Sequence, residues 1–549
     1  MNRKWIYIVV CLVLYLGAKG QSQGEIENAE FIIEKDQVIT LEKVPRTFIR
    51  SDNFKPETSE INVQFNIKDP RIILESFSPV INIAKLAELP NLETSDHLLK
   101  IGFGSFISPI VDYKFNGNIN ESNKLLINAY HESFARGPVF QERSGEMINS
   151  IGLQHLFNAS DHLTINSSLD FFRKGFNRYG LYGPDSAVDV TAVDTMDIGS
   201  TYQMLSLNAA LNYAKGSVSS RIQLDYNMGW LDAVNSANDQ NIILKADVSK
   251  TFENRLKLTI PFDFEADLFS SVDTAVNRNW VGFRPNIQYG RDKIEFKLGA
   301  GAYYSTDSIG DGNLYLFPDI GFKYHVNEMN ALYINATGGF QKNQLNMLWN
   351  MNQWLLAMPT QSGVERVAAY IGAQGILTKG FDYDFAMGIR KVDHPQLMVN
   401  DISNYESFGL ISDTSMLVKQ VKWMMRYKAP KILGVKGELN FNAYEMASLT
   451  KAWHLPELTF KLTATLDLAN KIKISPYYYL MSGVYARNQN LEAEQLDVIS
   501  DLGIDATYQV KDNFSIFFRA RNLLGNENSR YFYYPTRQFD IKGGISISF

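Results

Sequence analysis

A single cysteine, Cys11, stands among 549 residues. That excludes a disulfide framework, a zinc finger and a cysteine-held iron–sulfur site. No internal run of about 18 apolar residues occurs, which argues against a helical membrane protein. Positive charge is not in excess either, since the formal net charge is −6. A mildly acidic chain carries no electrostatic footprint for nucleic acid. Apolar and aromatic material is plentiful: 45% of residues are hydrophobic and 13% aromatic. That is too much for wholesale disorder.

Residues 1–20 pattern as a secretory signal peptide. Met1-Asn2-Arg3-Lys4 is basic, Trp5 to Ala18 is almost wholly apolar, and Ala18 and Gly20 are the small residues before a cut. The rival is an uncleaved anchor, but the apolar run is short for a bilayer. Cys11 lacks the small residues that precede a lipidated cysteine. Cleavage after Gly20 removes Arg3, Lys4 and Lys19 and no acid, so the exported chain is more acidic and free of cysteine.

From about His97 onward, strands of strict alternation meet short polar turns. In residues 502–510, Leu502, Ile504, Ala506, Tyr508 and Val510 face one way, and Gly503, Asp505, Thr507 and Gln509 the other. Residues 205–213, 435–443 and 460–468 repeat the device. Period two places side chains on two faces of a sheet. Here one face is apolar and often aromatic, and the other carries charge and amide. A soluble sandwich alternates too, but strands of nine to eleven residues in this number suit a tilted membrane crossing.

Short turns fall near Ser122, Asp161, Gly216, Asn254, Asp292, Glu328, Gly380, Pro430, Asn470 and Lys511. Ten turns separate eleven hairpins, which predicts about 22 strands over residues 97–549. The fold class expected is all-β, a transmembrane antiparallel barrel with short periplasmic turns and longer extracellular loops. Closure is required because lipid satisfies no open sheet edge. The last strand alternates Phe539, Ile541, Gly543, Ile545, Ile547 and Phe549 against Asp540, Lys542, Gly544, Ser546 and Ser548. A terminal Phe ending such a strand looks like the segment read by the barrel-assembly machinery of Gram-negative bacteria.

Arg519-Ala520-Arg521-Asn522-Leu523-Leu524-Gly525-Asn526, then Tyr533-Tyr534-Pro535-Thr536-Arg537 and the closing strand, resemble the end of TonB-dependent receptors. The stretch Leu99–Tyr113 resembles the first strands of plug-poor receptor-like barrels common in Bacteroidetes. The resemblance covers roughly residues 97–549. It implies a 22-strand outer-membrane barrel and solute transport, and it names no cargo. The departure lies in front: residues 21–96 are too few for the globular plug that such receptors hold inside the barrel. They are expected to form a periplasmic or luminal arm able to dock a periplasmic or lipoprotein partner. Asp36-Gln37-Val38-Ile39-Thr40 faintly resembles a TonB box, so coupling to TonB is left open. Ile61–Ile83, with Pro70 and Pro79, is expected to thread into the lumen or pair with a periplasmic partner.

Walker, G-x-G-x-x-G, H-E-x-x-H and G-x-S-x-G motifs are all missing, and the seven histidines do not pair at ligand spacing. No enzyme, cofactor or metal is expected, although membrane-barrel hydrolases do assemble catalytic sets from distant strands. Candidates for the lumen wall are His325, Lys436, Glu438, Lys461, Asp467, Asp505, Arg519 and Arg521, whose mixed signs suit ion pairs across the lumen better than a selectivity filter. Asp185, Asp189, Asp194 and Asp197 form an acidic loop, read as solvated rather than as a calcium site. Loop 341–363 is too apolar to stand in water. Three burials are open to its Trp349, Trp354, Leu355 and Met358, into the lumen, against neighbouring loops or against a partner protein, and the first two are expected, since a plugless barrel of this width must be closed by something. Transport is the leading function. The alternative is a non-transporting envelope scaffold that docks periplasmic proteins through its arm.

Overall fold

The computed structural model describes residues 96–549, apart from 139–140, 181–198, 234, 254, 273, 307–311, 402–405, 430–432, 470 and 489, and apart from the side chains of 141 and 142. The signal peptide, residues 21–95 of the arm with the Asp36–Thr40 stretch, and the acidic loop of Asp185 to Asp197 lie outside the described residues.

The alternating segments pair in chain order into one antiparallel sheet that closes on itself. His97–Gly104 hydrogen-bonds on one side to Ile110–Asn120 and on the other to the final strand, Asp540–Ser548. Of the 23 paired segments, Ala275–Phe283 and Asn286–Arg291 are halves of one stave. Both pair with Leu256–Ser271 and Ile294–Thr306, and the register is continuous across the gap. Pro285, which has no N–H to give, breaks the ladder between them. The cylinder therefore has 22 staves. Of the ten turn positions read from the sequence, the seven among the described residues lie at or between the ends of consecutive staves; Asn254, Pro430 and Asn470 lie outside the described residues.

Several staves exceed the expected nine to eleven residues. The stave Gly199–Lys215 has 17. Pairing continues past the hydrocarbon because a neighbour of similar length satisfies the extra backbone groups.

Burial along each stave is the inverse of that in a soluble protein. In the last strand Asp540, Lys542 and Ser546 are buried, while Ile541 and Ile545 are exposed. Elsewhere Leu298, Leu316, Ile334 and Ile371 are exposed, and Asp239, Asn241, Asp267 and Arg278 are buried. Exposed apolar belts of this extent are stable only against lipid. No helix of the described residues is long and apolar enough to cross a membrane; the crossing is made by strands.

The seam is clasped at its inner end. The His97 amide donates to the Phe549 carbonyl and the Phe549 amide to the His97 carbonyl, each at 3.1 Å. Their rings stack at 4.9 Å. Removing Phe549 deletes both of these bonds and the stack. Deletion of this one residue is expected to lower the folded, heat-modifiable fraction in the outer membrane several-fold, read as the band shift between boiled and unboiled samples.

Candidate functional site: a capped outer mouth

Loop 342–362 carries the only α-helix among the described residues, Leu345–Met351. Leu and Met are good helix formers, but seven residues are too few to hold a helix alone. The barrel wall holds it instead. The Gln344 carbonyl accepts from the amides of Met347 at 3.1 Å and Leu348 at 3.0 Å. The Gln344 side chain makes no cap; it donates to Glu265 on the stave Leu256–Ser271. The free first-turn amide of Asn346 donates to Asp239 Oδ2 at 3.0 Å. A carboxylate from the stave Ala237–Thr251 thus caps a helix more than a hundred residues away, meeting an orphan donor and the positive helix end together.

A polar chain fixes the loop to three staves. Asn346 Nδ2 donates to Asn241, and Asn241 Nδ2 to Asp267. Asp267 accepts from Arg278, whose Nε lies 2.8 Å away. Arg278 Nη1 donates to the Lys342 carbonyl at 2.9 Å, and Lys342 pairs with Glu265. Asn241 and Arg278 stand opposite Asp267 in register, Asp239 and Glu265 lie two residues along on the same buried face, and Ile260 and Phe262 are exposed on the other face, so these side chains point inward and the helix lies inside the cylinder.

Past the helix, Trp354 is the hub. Its ring stacks on Tyr534 at 3.7 Å and meets Tyr179 and Tyr531 edge-on at 5.8 and 6.0 Å. Its Nε1 donates to the Asn177 carbonyl at 3.1 Å. Leu355 bridges to Phe408, and the Leu356 amide donates to the Phe408 carbonyl at 2.8 Å. Tyr531 donates to the Met351 carbonyl and Tyr534 to the Glu406 carbonyl, each at 2.6 Å. Trp349 packs on Tyr202 at 5.4 Å. Leu355 is 2% exposed and Phe408 fully buried; Met358 is half-buried. These contacts come from staves and loops spread around the whole circumference, so the long-loop end is filled by packed aromatic rings.

His454, from loop 447–457, lies in this packing, 5.3 Å from Phe408 and 5.7 Å from Tyr531. It is 1% exposed. Burial, assisted by the Arg530 guanidinium, holds its pKa down at about 3. Between pH 6.5 and 3 the unfolded imidazole binds a proton that the folded one refuses. Stability is therefore full above pH 6.5 and falls by about 1.4 kcal/mol per unit below it. His454→Gln is expected to flatten this dependence, measured as protease resistance of the outer loops between pH 7.5 and 5.

The remaining lumen candidates fall on inward positions in four groups. His325 Nε2 lies 2.9 Å from Glu295 near the short-turn end. Lys436 pairs with Glu438 at 2.5 Å, and Lys461 stands opposite Glu438 in register. Asp467 faces Lys473 at 4.0 Å. Asp505 accepts from Arg521 at 2.9 Å, and Arg519 lies 3.4 Å from both Asp505 and Glu132. Glu132 also pairs with Lys542. Most of these pairs join side chains of one stave or of adjacent staves, while Glu132 reaches Lys542 past two intervening staves and Arg519 past three. Sequence reasoning did not assign roles to Tyr179, Phe408, His454, Tyr531 or to the Asp239–Asn241–Asp267–Arg278 chain. An acid or amide at an inward position next to an apolar loop was the one signal available.

No family model matches the chain, and no curated protein does. Solved structures match well. The ferripyoverdine receptor of the outer membrane of Pseudomonas aeruginosa is similar at TM-score 0.64 and 10% identity, over 82% of this chain and 71% of that one. The siderophore receptor PirA from Acinetobacter baumannii matches at 0.63 and 10%, over 82% and 80%. The ferric-catecholate import receptor Fiu from K12 E. coli matches at 0.62 and 10%, over 83% and 82%. At such identity the likeness is one of fold. The chain has the barrel fold of TonB-dependent outer-membrane receptors, and its lipid-facing belt makes it a multi-pass barrel of the outer membrane.

Proposed function

We infer that this barrel imports a solute across the outer membrane and that the packed mouth is its gate. The observation that carries this reading is the way the cap is held. Loop 342–362 is fastened to the wall by side-chain hydrogen bonds and ring contacts, while no stave of the cylinder depends on it for its ladder. A closure of that kind opens without dismantling the barrel, since the main-chain sheet stays paired. The neighbours in fold are siderophore receptors and an import receptor, which favours uptake over secretion.

Residues 21–96 would supply the periplasmic contact through which a partner, TonB or another, works on the closed lumen. A strain lacking this chain, complemented with the full protein or with one lacking residues 21–96, tests both points. Loss of uptake of a labelled nutrient pool, restored only by the full protein, is the expected result. Unchanged uptake of every nutrient in the deletion strain would remove transport and leave the scaffold.

A further inference from the structure

His131 and Ser133 share one face of the stave Asn123–Phe134, and Asn149 stands opposite His131 on the stave Glu146–Ser160. Val111, in register with His131 on its other side, is exposed, and so is Ile151 on the face of Asn149. Glu132 and Phe134, which alternate with His131 and Ser133, are buried. The three polar side chains therefore point away from the lumen. The short turns at Ser122 and Asp161 mark the inner ends of these staves, so the trio lies toward the outer ends. The next row toward the membrane is Ala129, Ile151 and Phe171. The trio thus sits where the oily belt meets the outer surface.

His131 Nδ1 lies 2.8 Å from Asn149 Oδ1, and Ser133 Oγ lies 3.3 Å from His131 Nε2. An amide oxygen only accepts, so Nδ1 carries the proton and Nε2 is the base that faces the hydroxyl. A hydroxyl, an imidazole and an acceptor that orients it are the parts of acyl-transfer catalysis, recognised by geometry and not by place in a chain. All three side chains are half-buried, so a substrate can reach them. A cavity of about 800 Å³ at the outer rim has Ser133, Met147 and Gly175 among its walls. These three stand in register, and Gly175 has no side chain to fill the space. Arg173, opposite Asn149, and Asp232, on the row of Ser133, are exposed on the same face. Their charges suit the phosphate and the amine of a zwitterionic headgroup.

We propose that this trio is the active site of a lipid acyl hydrolase, with Ser133 as nucleophile, His131 as general base and Asn149 as positioning residue, acting on an ester of a glycerophospholipid in the outer leaflet. Ser133 Oγ bonds to the ester carbonyl carbon while its proton passes to His131 Nε2. The bond between acyl carbon and glycerol oxygen then breaks, and that oxygen leaves with the proton. In the second half, water gives a proton to Nε2 and its oxygen bonds to the acyl carbon. The bond to Oγ breaks, Oγ takes the proton back, and a fatty acid is released. Ile151 and Phe171 line the path of the acyl chain below. The activity goes beyond import and does not rest on it.

The test uses the full-length protein purified from outer membranes, in mixed micelles of detergent and phosphatidylethanolamine with labelled acyl chains. The parent is expected to release labelled fatty acid. Ser133→Ala and His131→Ala, prepared alike and shown to be folded by heat-modifiable migration, are expected to lose about a thousandfold in rate. Asn149→Ala is expected to lose about tenfold and Asn149→Asp to regain most of it, because a carboxylate also accepts from Nδ1. A long-chain alkyl fluorophosphonate is expected to leave its adduct on Ser133, located by peptide mass spectrometry. Any of four results overturns the proposal: a parent that releases no fatty acid, a Ser133→Ala protein that releases it as fast as the parent, an adduct on another residue, or an Asn149→Ala protein as fast as the parent.

Discussion

Replacing residues 345–358 with a glycine–serine linker of equal length should turn a closed barrel into a conducting one. The linker removes the helix whose Asn346 amide is capped by Asp239. It also removes Trp354, whose ring meets Tyr179, Tyr531 and Tyr534. A 22-strand wall leaves a lumen far wider than a small solute once its filling is gone. Planar-bilayer recordings should show steps that the parent protein lacks, larger still in a chain that also lacks residues 21–96. Cells making the variant should admit hydrophilic antibiotics of excluded size about tenfold faster. A variant that stays silent in both backgrounds would show that closure lies elsewhere in the lumen. The staves keep their ladders, so the variant should still migrate as a folded barrel.

The second large effect concerns Arg278. Its guanidinium and the Asp267 carboxylate are both almost wholly buried, with side-chain exposures of 2% and 0%. Arg278→Met leaves Asp267 charged and buried without its cation. Breaking a buried pair from one side costs about 3–5 kcal/mol. It also removes the donor to the Lys342 carbonyl that starts the cap loop. Denaturant unfolding in micelles should show the loss, and proteolysis should cut loop 342–362 faster. Adding Asp267→Leu should return most of the stability but not the protease resistance, because the loop stays unfastened. A single variant within about 1 kcal/mol of the parent would place the pair in far wetter surroundings than its burial indicates.

How much of this was legible beforehand differs between the wall and the mouth. Alternation is local: Leu502 to Val510 declare their two faces without reference to any other segment, and Gly216 and Gly380 mark turns by taking φ of +57° and +83°, where glycine is at ease. Stave number, order and inside-out polarity follow from such local signals, because each stave pairs with its neighbours in sequence. The apolar loop announced that it must be covered, through Trp349, Trp354 and Leu355. It did not announce by what.

The amino-acid sequence by itself determined the choice of a closed cylinder in lipid, since period two, ten short turns and an oily outer face suit that arrangement of the strands better than a soluble sandwich. Only the tertiary structure decided the mouth. Asn346 finds Asp239, Trp354 finds Tyr534 and His454 finds Phe408 across separations with no repeat and no register. Those meetings are set by how the cylinder curls and where its loops land, which no stretch of chain records on its own.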